Sequence, residues 1–334
     1  MRVIDGSDGG GQILRSSLTL SALTGEPVRI EHIRGSRPTP GLKPQHLAAV
    51  ETIAAVCDAT VEGAAIESEE LVFEPGDLTP GEYSVDVGTA GSITLVFETL
   101  LPLAVALDGP LSVTVTGGTD VKWSPTMAHY QHVKLPLCRR FGLFAAVEEQ
   151  RAGFYPRGGG EATLHLAPSD PDPIAIPERG ELQGVRVYST ESADLAGANV
   201  AARQATAAVP DLDVPTTERV VRTVDSPCAG SAVCVRLDYA ETTAGFDTLG
   251  EPGKPAEDVG KVAATEATEF REHAASPVVD EHTADQLALL LALCGGELRI
   301  PRVTPHVETN VSVMQAFGYE VRVAEHDAGA ILSA

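Results

Sequence analysis

Apolar residues in this chain recur at helical spacing in runs that open on a polar or glycine-rich loop and lead into a short strand-like stretch. The first such unit starts at Gly9-Gly10-Gly11-Gln12 and enters an apolar run over 13–23. A strand-like stretch (28–33), a polar loop (34–44) and a second helical run (45–57) follow. The second unit starts at Gly88-Thr89-Ala90-Gly91-Ser92 and passes through 93–107, the strand-like 111–115, a loop (117–125) and the run 127–140. The third starts at His282-Thr283-Ala284-Asp285-Gln286. It passes 287–293, 298–300 and the loop Arg302-Val303-Thr304-Pro305, and ends in the run 306–317. Each unit reads as strand, helix, strand, helix and a closing hairpin, with 59–61 and 70–73 or 144–148 and 161–166 as hairpin strands. The alternation predicts mixed α and β structure. Repeats of this kind bury apolar faces against their neighbours, and their equivalent loops can converge on one site.

Residues 169–179 set prolines among acidic side chains and read as a linker. The stretch after it does not fit the repeat. It holds an alanine-rich helix near 196–208, strands near 219–223 and 233–239, and a helix over 256–275; a strand at 184–188 fits either side of the boundary. The expected division is a three-repeat body of 1–181 plus 277–334, with a smaller inserted domain of 182–276.

Composition sharpens this picture. The chain has 334 residues, 43% of them hydrophobic, and a net charge of -23 from 47 acidic and 24 basic residues. Only five of the basic residues are lysines (Lys43, Lys122, Lys134, Lys254, Lys261). Such a surface suits a protein working in high intracellular salt. At ~1 M salt the screening length is about 3 Å, so the net charge says little about ligands while local cations still count. No apolar stretch spans a bilayer, and the first residues lack the regions of a signal peptide, so a soluble cytoplasmic protein is expected. The five cysteines form no C-x-x-C pair and read as reduced, mostly buried thiols.

The loops supply candidate chemistry. Gly9-Gly10-Gly11-Gln12 runs straight into a helix, where free N–H groups can meet an anion that glycine lets approach. Arg15 lies one turn inside, and Asp8 is a hard oxygen ligand suited to Mg2+ or Mn2+. No G-x-x-x-x-G-K-[ST] occurs, which excludes a P-loop. Arg34, Arg37 and Lys43 stand within ten positions of a proline-stiffened loop, a local exception in so acidic a chain. The guanidinium fork matches phosphate oxygens. Trp123, the only tryptophan, is a stacking surface for a base or, more plainly, a core or rim residue. His306 follows Thr304, which suits an N-cap, and Pro305, which suits a first helical position. There the helix dipole disfavours imidazolium and favours a neighbouring anion. A histidine so placed suits a covalent phosphoryl or nucleotidyl intermediate; the plainer reading is a capping histidine. His129 and His132 fit one helix face better than a metal site.

Taken together, these residues resemble the RNA 3'-terminal phosphate cyclase family. The matching segments are Asp5-Gly6 with Gly9-Gly10-Gly11-Gln12-Ile13-Leu14-Arg15, Ile33-Arg34-Gly35-Ser36-Arg37-Pro38 with Pro40-Gly41-Leu42 and Gln45-His46-Leu47, Gly117-Gly118-Thr119-Asp120, Gly153-Phe154-Tyr155-Pro156 with Gly158-Gly159-Gly160, Ala284-Asp285-Gln286-Leu287, and His306 with Thr309-Asn310. The resemblance implies an α+β fold of three repeats, each a four-stranded sheet with two helices, plus an inserted smaller domain. It implies that His306 takes AMP from ATP, that AMP passes to an RNA 3'-phosphate, and that the neighbouring 2'-hydroxyl closes a 2',3'-cyclic phosphate. It makes Arg15, Arg37 and Gln45 phosphate contacts. Pro125 and Gln286 join the adenine pocket, His282 stacks on the base, and Asp285 belongs to the same ATP-binding set. The family usually reads Gln-Gly-Glu-Gly-Gly-Gly-Gln at the first loop, where the glutamate binds the metal. Here the loop is two residues shorter, with Asp8 in the glutamate's place. Two other readings are a non-catalytic ribosome-assembly relative, which lacks the nucleophile, and an enolpyruvyl transferase, which is longer and has six units. RNA is expected to touch only a small basic cleft at its 3'-phosphate end.

Overall fold

The computed structural model describes residues 1–326 and 328–334. The first unit runs β1 (Arg2–Asp5), α1 (Gly11–Thr24), β2 (Val28–Glu31), α2 (Pro44–Val56), β3 (Thr60–Glu62) and β4 (Leu71–Glu74), with strand order β1-β2-β4-β3. β1 and β2 are parallel, so the chain must cross over between them, and α1 is that crossover.

The second unit runs β5 (Gly81–Asp86), α3 (Ile93–Leu100), β6 (Leu111–Gly117), α4 (Met127–His129), α5 (Leu135–Arg140), β7 (Ala145–Arg151) and β8 (Gly160–Leu166), in order β5-β6-β8-β7. Its two apolar runs are not the single helices that their pattern predicts. After α3 the chain tightens into a 3-10 segment, Leu101–Val105, with Pro102 at its start. Between α4 and α5, Tyr130–Lys134 widens into a π turn. Pro136 has no N–H to return to the carbonyl of His132. The Arg236 guanidinium donates to that carbonyl instead.

The third unit begins with β9 (Ile174–Ile176), inside the segment read as a linker. β9 has three residues between prolines and pairs in parallel with the later strand β14 at a sheet edge, where flanking prolines are tolerated. The unit therefore starts well before His282. After β9 the chain leaves to build another sheet: β10 (Leu182–Ser192), α6 (Val200–Ala207), β11 (Thr216–Val224), β12 (Ser231–Tyr239), β13 (Thr243–Leu249) and α7 (Ala256–Glu272), in order β11-β10-β12-β13. Here the first strand is internal, not at an edge, which is why the repeat pattern fails. The strand expected at 184–188 is the middle of β10. The alanine-rich helix is shorter than expected, because Asn199, at φ 50°, separates α6 from a 3-10 segment over Ala193–Ala198. The chain then resumes with α8 (Glu281–Cys294), β14 (Gly296–Ile300), α9 (Pro305–Ala316), β15 (Arg322–His326) and β16 (Gly329–Ser333), giving order β9-β14-β16-β15. The protein is α+β, with three sheets of one plan and a fourth of another.

One apolar core runs through all three repeats and a second lies under the fourth sheet. α1 is the hub of the first, packing on α2, α3 and α9. Its Leu14, Leu18 and Leu20 are buried, each worth about 1.5–3 kcal/mol relative to exposure. Several of its polar positions are buried and partnered too, although the Ser17 hydroxyl is buried without a partner. Ser16 Oγ donates to Asn310 Oδ1 at 2.7 Å, and Thr19 Oγ1 to the Thr99 carbonyl at 2.8 Å. The cysteines are unpaired, and burial pushes the Cys57 and Cys138 thiols up to about 11 and about 12, which keeps them inert. Among the described residues no helix is long and apolar enough to cross a membrane.

Candidate active site

A cleft of about 1090 Å³ lies between the helix starts of the three repeats and the end of β13 with α7. Its centre is the start of α9. Thr304 is the N-cap, its Oγ1 accepting the Val307 N–H at 3.1 Å, and Pro305 opens the helix. His306 follows with its side chain 54% exposed. Its Nδ1 lies 3.4 Å from Asp285 Oδ2 on α8. Both residues are fixed from behind. Asn310 Nδ2 donates to the Asp285 carbonyl at 3.1 Å while its Oδ1 takes the Ser16 hydroxyl, and Gln12 Nε2 donates to the His306 carbonyl at 3.4 Å. Asn310 is thus a tie between α1, α8 and α9, while the Thr309 hydroxyl stays within α9, on the carbonyls of Pro305 and His306.

The start of α1 faces the same space. Its N-cap is Gly10, with no capping side chain and no acidic residue in the first turn, so its N–H groups stay available to an anion. A Cβ on Gly11 would stand 2.1 Å from His46 Nε2, so glycine is needed for His46 to pack there. His46 Nδ1 accepts the Lys43 N–H at 3.1 Å, which places the ring proton on Nε2. Burial, followed by Arg15, Arg34 and Lys43, pushes this imidazole down to about 3, so it meets the cleft as a neutral donor.

Two guanidiniums stand ready. Elsewhere arginines pair with carboxylates, as Arg29, Arg203 and Arg302 do. Arg15 and Arg37 line the cleft with no side-chain hydrogen bond or ion pair among the described residues. Burial pulls Arg15 down, and Glu98 and Asp285 oppose this. Arg34 donates to the carbonyls of Thr39 and Gly41 at 2.8 and 2.9 Å and so braces its own loop. Lys43 caps α2 outside the cleft. Gln45 Oε1 accepts the Ser92 N–H at 3.2 Å, which leaves its amide NH2 to donate.

Pro125, His282 and Gln286 also line the cleft. The Pro125 carbonyl accepts the Thr94 hydroxyl at 3.0 Å, and Gln286 Oε1 is buried without a partner. The ATP-binding set expected from the sequence therefore shares one cavity with His306. Asp8 does not line it; it is exposed just ahead of α1. Among the described residues no three His, Cys, Asp or Glu side chains cluster to hold a metal.

Sequence reasoning missed the buried pair Lys134 and Glu98 and an acidic wall, and it named Asp120 and Gly153 within matching segments without giving them a role. Lys134, buried by the π turn, donates to the Glu98 carboxylate and to the Gln286 carbonyl at 3.4 Å. Burial raises Glu98, against Lys134 and Arg15. A lysine and a glutamate inside apolar runs were the available signal. Asp120 anchors α4, accepting the Met127 N–H at 3.1 Å and the Thr119 hydroxyl at 2.7 Å. Burial and Glu149 push it up to about 7. Gly153 braces the same loop, its carbonyl taking the Thr119 N–H at 2.8 Å. Asp247, Glu251 and Glu266 form an acidic wall from the fourth sheet's unit, and nothing local in the sequence marks them.

The profile of the family described as RNA 3'-terminal phosphate cyclase matches residues 7–323. A protein of that name from Halobacterium salinarum is 46% identical over 343 residues, covering 99% of each chain. Proteins of the same name from Methanopyrus kandleri and Pyrococcus furiosus are 41% and 40% identical, over 94% and 95% of this chain and 92% and 93% of theirs. With a match of this extent over a cleft of this make-up, the chain belongs to the RNA 3'-terminal phosphate cyclase family.

Proposed function

We propose that this protein spends ATP to convert the 3'-terminal phosphate of an RNA into a 2',3'-cyclic phosphate, with His306 carrying AMP between the two. The observation that supports it best is the exposed His306 imidazole, backed by Asp285, on a cleft with two unpaired guanidiniums. In the first step Nε2 attacks the α-phosphorus, a P–N bond forms, and the bond to the bridging oxygen breaks. Pyrophosphate leaves on Arg15, Arg37, the Gln45 amide and the α1 N–H groups, which neutralise charge. Asp285 steadies the Nδ1–H as the ring turns cationic. The adenine lies against Pro125 and His282 with Gln286 at its edge. In the second step an RNA 3'-phosphate oxygen displaces the histidine. In the third the 2'-hydroxyl loses its proton, attacks the 3'-phosphorus and expels AMP. A phosphate monoester has no good leaving group; adenylylation supplies one, and the vicinal hydroxyl is already in position.

One carboxylate next to a phosphate loop is what a cation bound largely by substrate phosphates needs. Asp8 would hold Mg2+ or Mn2+, which would offset phosphate charge. The division into a body of 1–181 plus 277–334 and an insert of 182–276 belongs to this reading, as does work at high salt. The test is a 3'-phosphorylated oligoribonucleotide incubated with ATP and divalent metal in concentrated salt. The expected product has a phosphatase-resistant end and forms only with ATP. A 3'-phosphate that stays phosphatase-sensitive would sink the reading.

A further inference from the structure

The loop after β6 ends in a turn, Val121 to Ser124, closed by the Ser124 hydroxyl donating to the Val121 carbonyl at 2.9 Å. Trp123 is its third residue, with φ at 64°. That corner of a turn takes glycine or asparagine, and a bulky side chain there is strained. Packing gives nothing in return, because Trp123 is 94% exposed. The one tryptophan of the chain is thus held in water, in a conformation it disfavours, on the rim of the cleft that contains His306, Arg15 and Arg37. Strain of this kind, kept where neither folding nor solubility gains from it, points to a ligand.

The surroundings say which. At about 1090 Å³ the cleft is at the upper limit for a small-molecule site, so it has room beyond one nucleotide. Arg15, Arg34 and Arg37 come from the first unit, the fourth sheet's unit presents Asp247, Glu251 and Glu266, and Lys122, beside Trp123, is tied to Glu251 at 3.4 Å. A strand leaving across the rim finds few phosphate contacts, and salt weakens those it has. Stacking on an indole depends little on salt and accepts any base. We propose that Trp123 is a platform for a base close to the 3' end of the RNA strand, separate from the ATP adenine deeper in the cleft. This rests on the RNA-end reading above.

A single tryptophan makes the test direct. At high salt, a 3'-phosphorylated oligoribonucleotide should quench the emission, while ATP alone or an oligonucleotide abasic at its last three positions should not. In Trp123→Ala the KM for RNA should rise about tenfold, well beyond any rise in KM for ATP, and Trp123→Phe should recover most of it. Trp123→Gly should melt no lower than wild type, since glycine suits this φ. Equal quenching by the abasic strand or by ATP, an unchanged KM for RNA in Trp123→Ala, or a dimer that Trp123→Ala abolishes would each overturn the proposal. If wild type quenches with RNA yet forms no cyclic end, the fault lies in the proposed reaction and not in the platform.

Discussion

Helices α2 and α9 hold the same place in the first and third repeats, and each has proline first and a histidine within the next two positions. In α2 the histidine falls at the third position, turns back to take the Lys43 N–H, and is buried against Gly11. In α9 it falls at the second position, Thr304 does the capping, and the ring is left in the cleft next to Asp285. α4 repeats the first outcome: His129, third from Thr126, is buried 3.8 Å from Asp280. One residue of register separates a buried histidine from one exposed in the cleft. In α2 the ring turns its Nδ1 back to the Lys43 N–H and is buried, in α4 it is buried beside Asp280, and of the three His306 keeps over half of its side chain exposed in the cleft.

The widest gap between the two should appear in covalent labelling. With α-labelled ATP and metal, wild type and His46→Gln should both carry acid-labile label, and His306→Ala none above background. Label on His306→Ala would move the nucleophile elsewhere. The buried member should show its worth in stability. Burial lowers the His129 affinity for a proton, but Asp280 overrides it and the ring is shifted up; Asp280, despite its burial, is held down to about 2. At 3.8 Å this is an ion pair without a hydrogen bond. Asp280→Asn removes the charge that holds the His129 proton and weakens the cap of α8, where Asp280 accepts the Thr283 N–H and hydroxyl, so urea denaturation should show a loss of roughly 3–5 kcal/mol, and adding His129→Leu should recover the part owed to the pair.

His46 should reveal itself through pH. Its folded value, about 3, lies below the ordinary 6.5. Its contribution is therefore complete above about pH 6.5 and is lost as the pH falls toward 3. Between pH 7 and pH 5 the stability of wild type relative to His46→Gln should drop by about 2 kcal/mol. Taking the difference removes the opposing titration of Asp120, whose raised value makes the fold bind a proton in this range. The smallest effect belongs to Asp285→Asn. It keeps the shape next to His306 Nδ1 but loses the charge, and the labelling rate should fall about tenfold with little change in KM for ATP. A KM effect alone would make Asp285 a binding residue only.

Where the apolar period was long, the sequence was a good guide: α1, α2 and α9 start within two residues of expectation, while α8 begins six residues before its apolar run, inside the loop-like opening of its unit. It failed where geometry is set by something distant. β9 has three residues and no period of its own; only β14, across the whole excursion, makes it a strand. The run 127–140 looks continuous, yet Pro136 and an arginine from β12 turn part of it into a π segment. That His306, Arg15 and Arg37 meet in one cleft could be anticipated because each sits on a local feature, a cap or a loop. Glu98 and Lys134 could not be, because a buried ion pair is recognised only when both halves are seen together.

The dependence of α1 on α9 also bears on synthesis. The loops that carry Arg15 and Arg37 are made well before His306, and α1 has no partner for one of its faces until the twelve residues from Pro305 to Ala316 emerge. Prematurely released chains would hold both free arginines without the imidazole, and with that face wet. The cleft is completed and the free face of α1 is covered in the same event.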